Sequence, residues 1–328
     1  MTFKALWATK PGDSILIELK ELDDEQLMPG DITIAVEYSA VNYKDGLAIS
    51  GRAPVIKAFP LIPGIDLAGV VEASSNPAFQ VGDRVVVNGW ELSQTHHGGY
   101  AQRARVCGKW LVKLPDTFST KEAMAIGTAG DTAMLSVLAL EHGGLTPDRG
   151  DILVTGASGG VGSIAIALLS TLGYRVLAST GRLEEAGYLK RLGAAEVLDR
   201  SSLSAPGVPI GSEKWAGAID TVGSHTLANV LAQTGYRGTV TACGLVQGVD
   251  LPGSMFPFIL RNITLAGIDS VNAPQEVRLK AWERLAHDLD LEKLGLTAQE
   301  ITLQQVPEVA QQILEGKVRG RTLVNVNA

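Results

Sequence analysis

Between residues 152 and 269 the chain alternates short apolar runs with longer polar-and-apolar stretches. The runs are "ILV" (152–154), "YRVLAST" (174–180), "AEVLD" (195–199), "AGAIDTVG" (216–223), "GTVTACG" (238–244) and "ITLAGID" (263–269). Each is too short for a stable helix, and helix-compatible text separates most of them. Strands alternating with helices, with both faces of the sheet covered, predict an α/β fold built on a doubly wound parallel sheet of the Rossmann kind.

The first run leads directly into "VTGASGGVG" (154–162), after which Val161, Ile164, Ala165, Leu168, Leu169 and Leu172 fall at helical spacing. This predicts strand, tight turn and a helix starting near Gly160. Glycine permits backbone conformations closed to other residues and lets an anion approach the first free amides of a helix, where the macrodipole favours negative charge. Ser158, Gly159, Gly160, Val161 and Gly162 are therefore candidate phosphate ligands. A tight connection that binds nothing is the alternative, and the position after the first strand of the series favours a nucleotide.

Before residue 120 the texture changes. "DITIAVEYSAVN", "DLAGVVEA", "GDRVVVNGW" and "YAQRARV" are short strand patterns separated by turn residues, which predict an all-β lobe. "TKEAMAIGTAGDTAMLSVLALEHGG" (120–144) then reads as helix, with Ser119 or Thr120 as its cap and a break around Gly127 and Gly130, joining the two lobes. The last stretch, "EITLQQVPEVAQQILEGKVRGRTLVNVNA" (300–328), reads strand, helix, strand and returns to the first lobe, making that lobe discontinuous. "SSLSAPGVPIGSE" (201–213) is expected as a surface loop.

Composition narrows the partners. At 328 residues with 45% hydrophobic content the chain can bury two cores. A net charge of -7 without a long basic stretch argues against nucleic acid as the main partner. The two cysteines, Cys107 and Cys243, lie in different halves, which disfavours a disulfide scaffold or cysteine-rich metal site. The first residues show no signal pattern, and no uninterrupted apolar run approaches the length needed to span a membrane. The expectation is a cytoplasmic protein with a small-molecule ligand.

A β-rich lobe, a Rossmann domain carrying "GASGGVG" and a carboxyl-terminal return together resemble the medium-chain dehydrogenase/reductase superfamily. Within it, "NYKDGLAISG" (42–51), "FPLIPGIDLAG" (59–69), "IGTAGDTAML" (126–135), "VTGASGGVG" and "FILRNITLAGIDSV" (258–271) resemble the zinc-independent quinone oxidoreductase branch, acryloyl-CoA reductase type. The resemblance implies a GroES-like catalytic domain over 1–124 and 295–328, and an NADPH-binding Rossmann domain over 125–294. It implies reduction of the carbon-carbon double bond of acryloyl-CoA to propanoyl-CoA by a homodimer. It also carries Tyr43, Leu245, Ser270 and Asn325 toward the cofactor.

Zinc enzymes of this superfamily have a catalytic cysteine and a Gly-His-Glu segment. Here Asn42-Tyr43-Lys44-Asp45 stands at the first place and Gly64-Ile65-Asp66 at the second, so no zinc is expected. His96 and His97 are neighbours in a glycine turn, and turn polarity is their expected role. NAD-specific domains place an acidic residue about twenty residues past the glycines. Ser179-Thr180-Gly181-Arg182 occupies that place, offering hydroxyls, an amide and a guanidinium to a 2′-phosphate, with Arg200 as a second cation. NADPH is the expected cofactor.

For the chemistry, Tyr43 is the candidate hydrogen-bond donor, with cofactor contact alone as its rival role. Asp66 and Asp131, charged residues in apolar stretches, are expected to cap a turn or pair with a cation. Arg52 and Lys57 are candidates for the phosphates of coenzyme A. Two other readings remain at this point: an NADPH-dependent quinone or α,β-unsaturated ketone or aldehyde reductase, and a non-catalytic NADPH-binding sensor or structural protein.

Overall fold

Every strand pattern quoted above is a strand in the computed structural model, which describes residues 1–328. The chain divides into two compact units, one of Met1–Thr128, Ser270–Ala286 and Ala298–Ala328, the other of Ala129–Asp269 and His287–Thr297.

The first unit is β-rich. It opens with an antiparallel pair, β1 (Thr2–Thr9) and β2 (Leu16–Asp23), and continues through β3 (Ile32–Val41), β4 (Asp66–Ser74), β5 (Arg84–Asn88), β6 (Arg103–Val106) and β7 (Val112–Lys113). Helix α1 (Tyr43–Ser50) lies between β3 and β4. The inward faces of these strands bury Ile32, Ile34, Val36, Leu67, Val71, Val85 and Val87 in one core, as alternation requires.

The second unit holds β8 (Ile152–Val154), β9 (Val176–Thr180), β10 (Ala194–Asp199), β11 (Trp215–Asp220), β12 (Thr234–Ala242) and β13 (Thr264–Gly267). They form one parallel sheet in the order β10-β9-β8-β11-β12-β13. The chain winds outward from β8 in one direction and then in the other, so the strand order reverses beside β8, where doubly wound sheets bind ligands. The helix after β8, α2 (Gly160–Thr171), buries Ile164, Ala165, Leu168 and Leu169 as expected. Val161 and Leu172, at its two ends, are only half-buried.

The chain's end supplies β14 (Ala298–Thr302), the helix Val306–Leu314 and β15 (Arg321–Asn325). β14 and β15 are parallel, and β15 pairs antiparallel with β3, giving the order β14-β15-β3-β4-β5-β7 with β6 also on β3. This is the return that the strand-helix-strand text predicts.

Three stretches depart from the expected boundaries: 125–128 lie in the β-rich unit, 295–297 in the other, and a longer segment also changes sides. Ser270–Ala286, placed by the sequence in the nucleotide domain, belongs to the β-rich unit. Arg278 explains it: this fully buried guanidinium donates to the carbonyl of Asn88 at 3.1 Å and sits 5.0 Å from the centre of the Trp90 ring. Trp282 packs edge-on against Phe118, and Gln275 donates to the carbonyl of Leu111.

Helix Thr120–His142 is long and apolar enough to cross a membrane by length and composition, contrary to the absence of such a stretch read from the sequence, but 83% of its apolar window is buried inside the protein. It is a core helix. Ser119 caps it, exchanging hydrogen bonds with Glu122, and its helical geometry breaks at Gly127 but not at Gly130.

Candidate functional site

In the second unit, the turn after β8 packs backbone on backbone. A Cβ on Gly162 would fall 2.5 Å from the carbonyl oxygen of Gly156, so only glycine lets α2 start this close to the turn. The amides of Gly160, Val161 and Gly162 open the helix and have no acceptor within it. Gly160 and Val161 are half-buried, leaving part of the turn open to solvent.

The end of β9 meets this turn. The Ala157 amide donates to the carbonyl of Ser179 at 3.1 Å, and the hydroxyls of Ser158 and Thr180 are 3.0 Å apart. The Arg182 guanidinium donates to the Ser158 hydroxyl at 3.0 Å and to its carbonyl at 3.2 Å. Arg200 lies against Gly181, where an added Cβ would be 2.4 Å from its Nε. Two guanidinium groups, two hydroxyls and a helix start are thus gathered within one unit, with no carboxylate in Ser179-Thr180-Gly181-Arg182. The buried Ser179 hydroxyl makes no hydrogen bond within the chain. Buried polar groups are rarely left so, and a ribose or phosphate oxygen would complete it. The donor set fits a phosphorylated ribose.

On the same sheet, the carboxylate of Asp220 at the end of β11 accepts from Thr155 Oγ1 and from the amides of Val222 and Gly223. It fixes the loop between β11 and the next helix. Leu245, in the loop after β12, is exposed.

In the first unit, Tyr43 begins α1. It is half-buried, and its hydroxyl makes no hydrogen bond within the chain. Beneath it lies a cluster of buried charge. The Asn42 side-chain amide donates to Asp66 Oδ2 at 2.8 Å and to Asp45 Oδ2 at 3.2 Å. Asp45 also accepts from the amides of Asn42 and Ile65, tying the start of α1 to the segment before β4. Asp66 accepts from Asn88 and from the amide and hydroxyl of Thr128. Arg321 on β15 donates to Asn42 Oδ1 at 2.9 Å and lies 3.7 Å from Asp66. Burial, and next the charge of Asp66, push the Asp45 carboxyl up to about 7.

Asp66 thus takes the cation-paired role expected of it, and Asp131 is also fully buried. Ser270 is buried, with its carbonyl accepting from Arg278. The Asn325 side chain is held by Glu300 and by the amide of Asn327. Arg52 and Lys57 are exposed. His96 and His97 act as turn polarity: His96 Nε2 is 2.8 Å from the Arg105 carbonyl, and His97 accepts from the Ile62 amide while its Nε2 is 3.1 Å from the Gln26 carbonyl. Burial pushes His97 down to about 4, leaving it neutral.

Residues 28–116 match the alcohol dehydrogenase GroES-like domain and residues 160–287 the zinc-binding dehydrogenase family. The acrylyl-CoA reductase AcuI of Ruegeria pomeroyi is 50% identical over 311 residues, 94% of each chain. The chain belongs to the medium-chain dehydrogenase/reductase superfamily. The yhdH oxidoreductase from Salmonella enterica, solved in complex with NADP, is 50% identical with a TM-score of 0.97, covering 98% of this chain and 99% of that one. The yhfP protein of Bacillus subtilis, solved with NAD bound, is 43% identical with a TM-score of 0.96, covering 99% and 100%.

The family's zinc chemistry does not fit these residues. Both oxygens of Asp66 already accept hydrogen bonds, Asn42 presents an amide donor, and Ile65 offers no ligand atom. The partnership of Asp45, Asp66 and Arg321 was not foreseen. Its one sequence signal is a lone arginine in the apolar text "GRTLVNV", whose partners lie more than two hundred positions away.

Proposed function

We propose that this chain is an NADPH-dependent reductase of the carbon-carbon double bond of acryloyl-CoA, giving propanoyl-CoA. The observation that carries the cofactor choice is the end of β9, where Arg182 is fastened over Ser158 and no carboxylate opposes a 2′-phosphate. The acceptor rests on the identity with an acrylyl-CoA reductase over nearly the whole chain.

When bound, NADPH supplies the hydride that reduces the β-carbon. Ser158 to Gly162 would hold its diphosphate at the helix start, and Ser179, Thr180, Gly181, Arg182 and Arg200 its phosphorylated ribose. Leu245, Ser270 and Asn325 remain candidates for further cofactor contacts. Tyr43 donates a hydrogen bond to the thioester oxygen as negative charge develops there, and the buried cluster under α1 keeps that residue in place. A proton at the α-carbon completes the product.

The protein works as a homodimer in this reading, in a reducing cytoplasm where Cys107 and Cys243 remain thiols. β13 is an outer strand of its sheet and pairs only with β12, and Met255, Ile259 and Leu260 stand exposed just before it. An open edge beside an apolar helix face favours pairing with a second copy across a two-fold axis.

The test is NADPH oxidation measured side by side with acryloyl-CoA, crotonyl-CoA, methyl vinyl ketone and 1,4-benzoquinone. The highest kcat/KM belongs to acryloyl-CoA. A quinone or ketone that exceeds it overturns the acceptor, and tight NADPH binding without turnover of any of the four makes the protein a binding module.

A further inference from the structure

The β-rich unit carries an open groove of about 400 Å³ between the end of β1 and the segment before β4. It is lined by Trp7, Thr9, Lys10, Pro11, Phe59 and Pro60. Its two walls are tied together, since the amide of Ala8 donates to Leu61 at 2.8 Å and that of Leu61 donates back at 3.0 Å.

Both aromatic rings are held from behind. The Trp7 indole meets the His97 ring edge-on, 5.5 Å between centres, and His97 is itself anchored to backbone through both ring nitrogens. Phe59 packs on a small cluster of Ala8, Ala48, Ile56 and Leu61. Trp7 and Phe59 nevertheless remain half-exposed, so each keeps part of its surface for a ligand. Lys10 lines the groove, and Lys57 stands two residues from Phe59; both are exposed and neither has an ion-pair partner in the chain.

Rigid aromatic surface flanked by unpaired cations is the chemistry that recognises a purine nucleotide: the base stacks, and the phosphate meets the ammonium groups. The groove is shallow and open, so a planar base would lie across its aromatic surface rather than be enclosed. Helix α1 packs behind the groove: Ala48, in the buried cluster that supports Phe59, is five residues from Tyr43, about 7.5 Å along the helix axis. A ligand reaching from this groove toward Tyr43 needs a nucleotide at one end, a reactive group at the other and a flexible arm between them.

Resting on the acyl-CoA reading above, we propose that the groove holds the adenosine phosphate end of the coenzyme A substrate, with adenine against Trp7 and Phe59 and phosphate facing Lys10 and Lys57. The groove is then a specificity subsite. It distinguishes a coenzyme A thioester from a small activated alkene without touching the reacting carbons.

The experiment compares acryloyl-CoA with the acryloyl thioester of N-acetylcysteamine, which lacks the nucleotide, in Trp7→Ala, Trp7→Phe and Lys10→Ala. Trp7→Ala raises KM for acryloyl-CoA about tenfold and Lys10→Ala several-fold, with kcat little changed, while Trp7→Phe restores most of the loss. The truncated thioester is turned over equally by all, which also verifies folding. Variants that leave KM for acryloyl-CoA unchanged, or weaken both thioesters alike, overturn the groove assignment alone. A native enzyme inactive on acryloyl-CoA overturns the functional reading and the groove with it.

Discussion

Arg182 donates from one guanidinium nitrogen to both the hydroxyl and the carbonyl of Ser158, at 3.0 and 3.2 Å. Through this pair the end of β9 is fixed to the glycine turn, and under the proposed function this cation is the partner of the cofactor's 2′-phosphate. A hydrogen bond between charged partners is worth about 1.5 to 3 kcal/mol. Arg182→Ala therefore weakens NADPH on the order of tenfold to a hundredfold and leaves NADH nearly unchanged, as read by titration calorimetry. Equal weakening of both would assign Arg182 to the fold. Adding Ser179→Asp should shift preference further toward NADH.

Asp45 makes stability depend on pH in an unusual direction. Its carboxyl is pushed up to about 7 in the folded protein, against an ordinary 3.8, so the folded form holds a proton that the unfolded chain has already released. Stability from this group is full below about pH 4 and declines until about pH 7. Each pH unit of that interval is about 1.4 kcal/mol, so the total is on the order of 4 kcal/mol. Carboxylates held low by partners, such as Asp83 beside Lys113, act oppositely, so the comparison is with Asp45→Asn. The stability difference between native protein and variant should shrink by that amount from pH 4 to 7 in denaturant titrations. A constant difference contradicts the assignment.

Gly127 should not tolerate a side chain. Its φ is 51°, and an added Cβ would stand 2.4 Å from Arg321 Nη2 and 2.8 Å from Asp66 Oδ2. Gly127→Ala strains the backbone and displaces a buried ion pair, a loss of about 3 kcal/mol or more. The melting temperature falls by about 5 °C or more; an unchanged melt would show that the break is dispensable.

The dimer reading is checked by light scattering at micromolar concentration. The native chain should give twice the monomer mass, and Ile259→Asp, with a charge on the exposed apolar helix beside β13, should give the monomer. A native monomer refutes the reading.

Local signals were legible in the sequence, and distant partnerships were not. The strands of the parallel sheet announced themselves as apolar runs, and the tight turn after β8 by glycines that leave no room for side chains. β1 and β2 were not read as strands, because the exposed, largely polar face of β2 hides the alternation. Ser270–Ala286 was misplaced because its allegiance is set by Arg278 and Trp282, whose partners Asn88 and Phe118 are remote in sequence. Asp66 was visible as a charge in apolar text. That Asp45 lies beside it and Arg321 across from it follows only from pairing β15 with β3 and β3 with β4.

The most direct test of the account uses NADPH carrying deuterium at the transferable position of the nicotinamide, acryloyl-CoA, and mass and NMR analysis of the product. The account predicts propanoyl-CoA with one deuterium, on the β-carbon, formed with NADPH much faster than with NADH. Unlabelled propanoyl-CoA, deuterium at the α-carbon, or no propanoyl-CoA at all would contradict it.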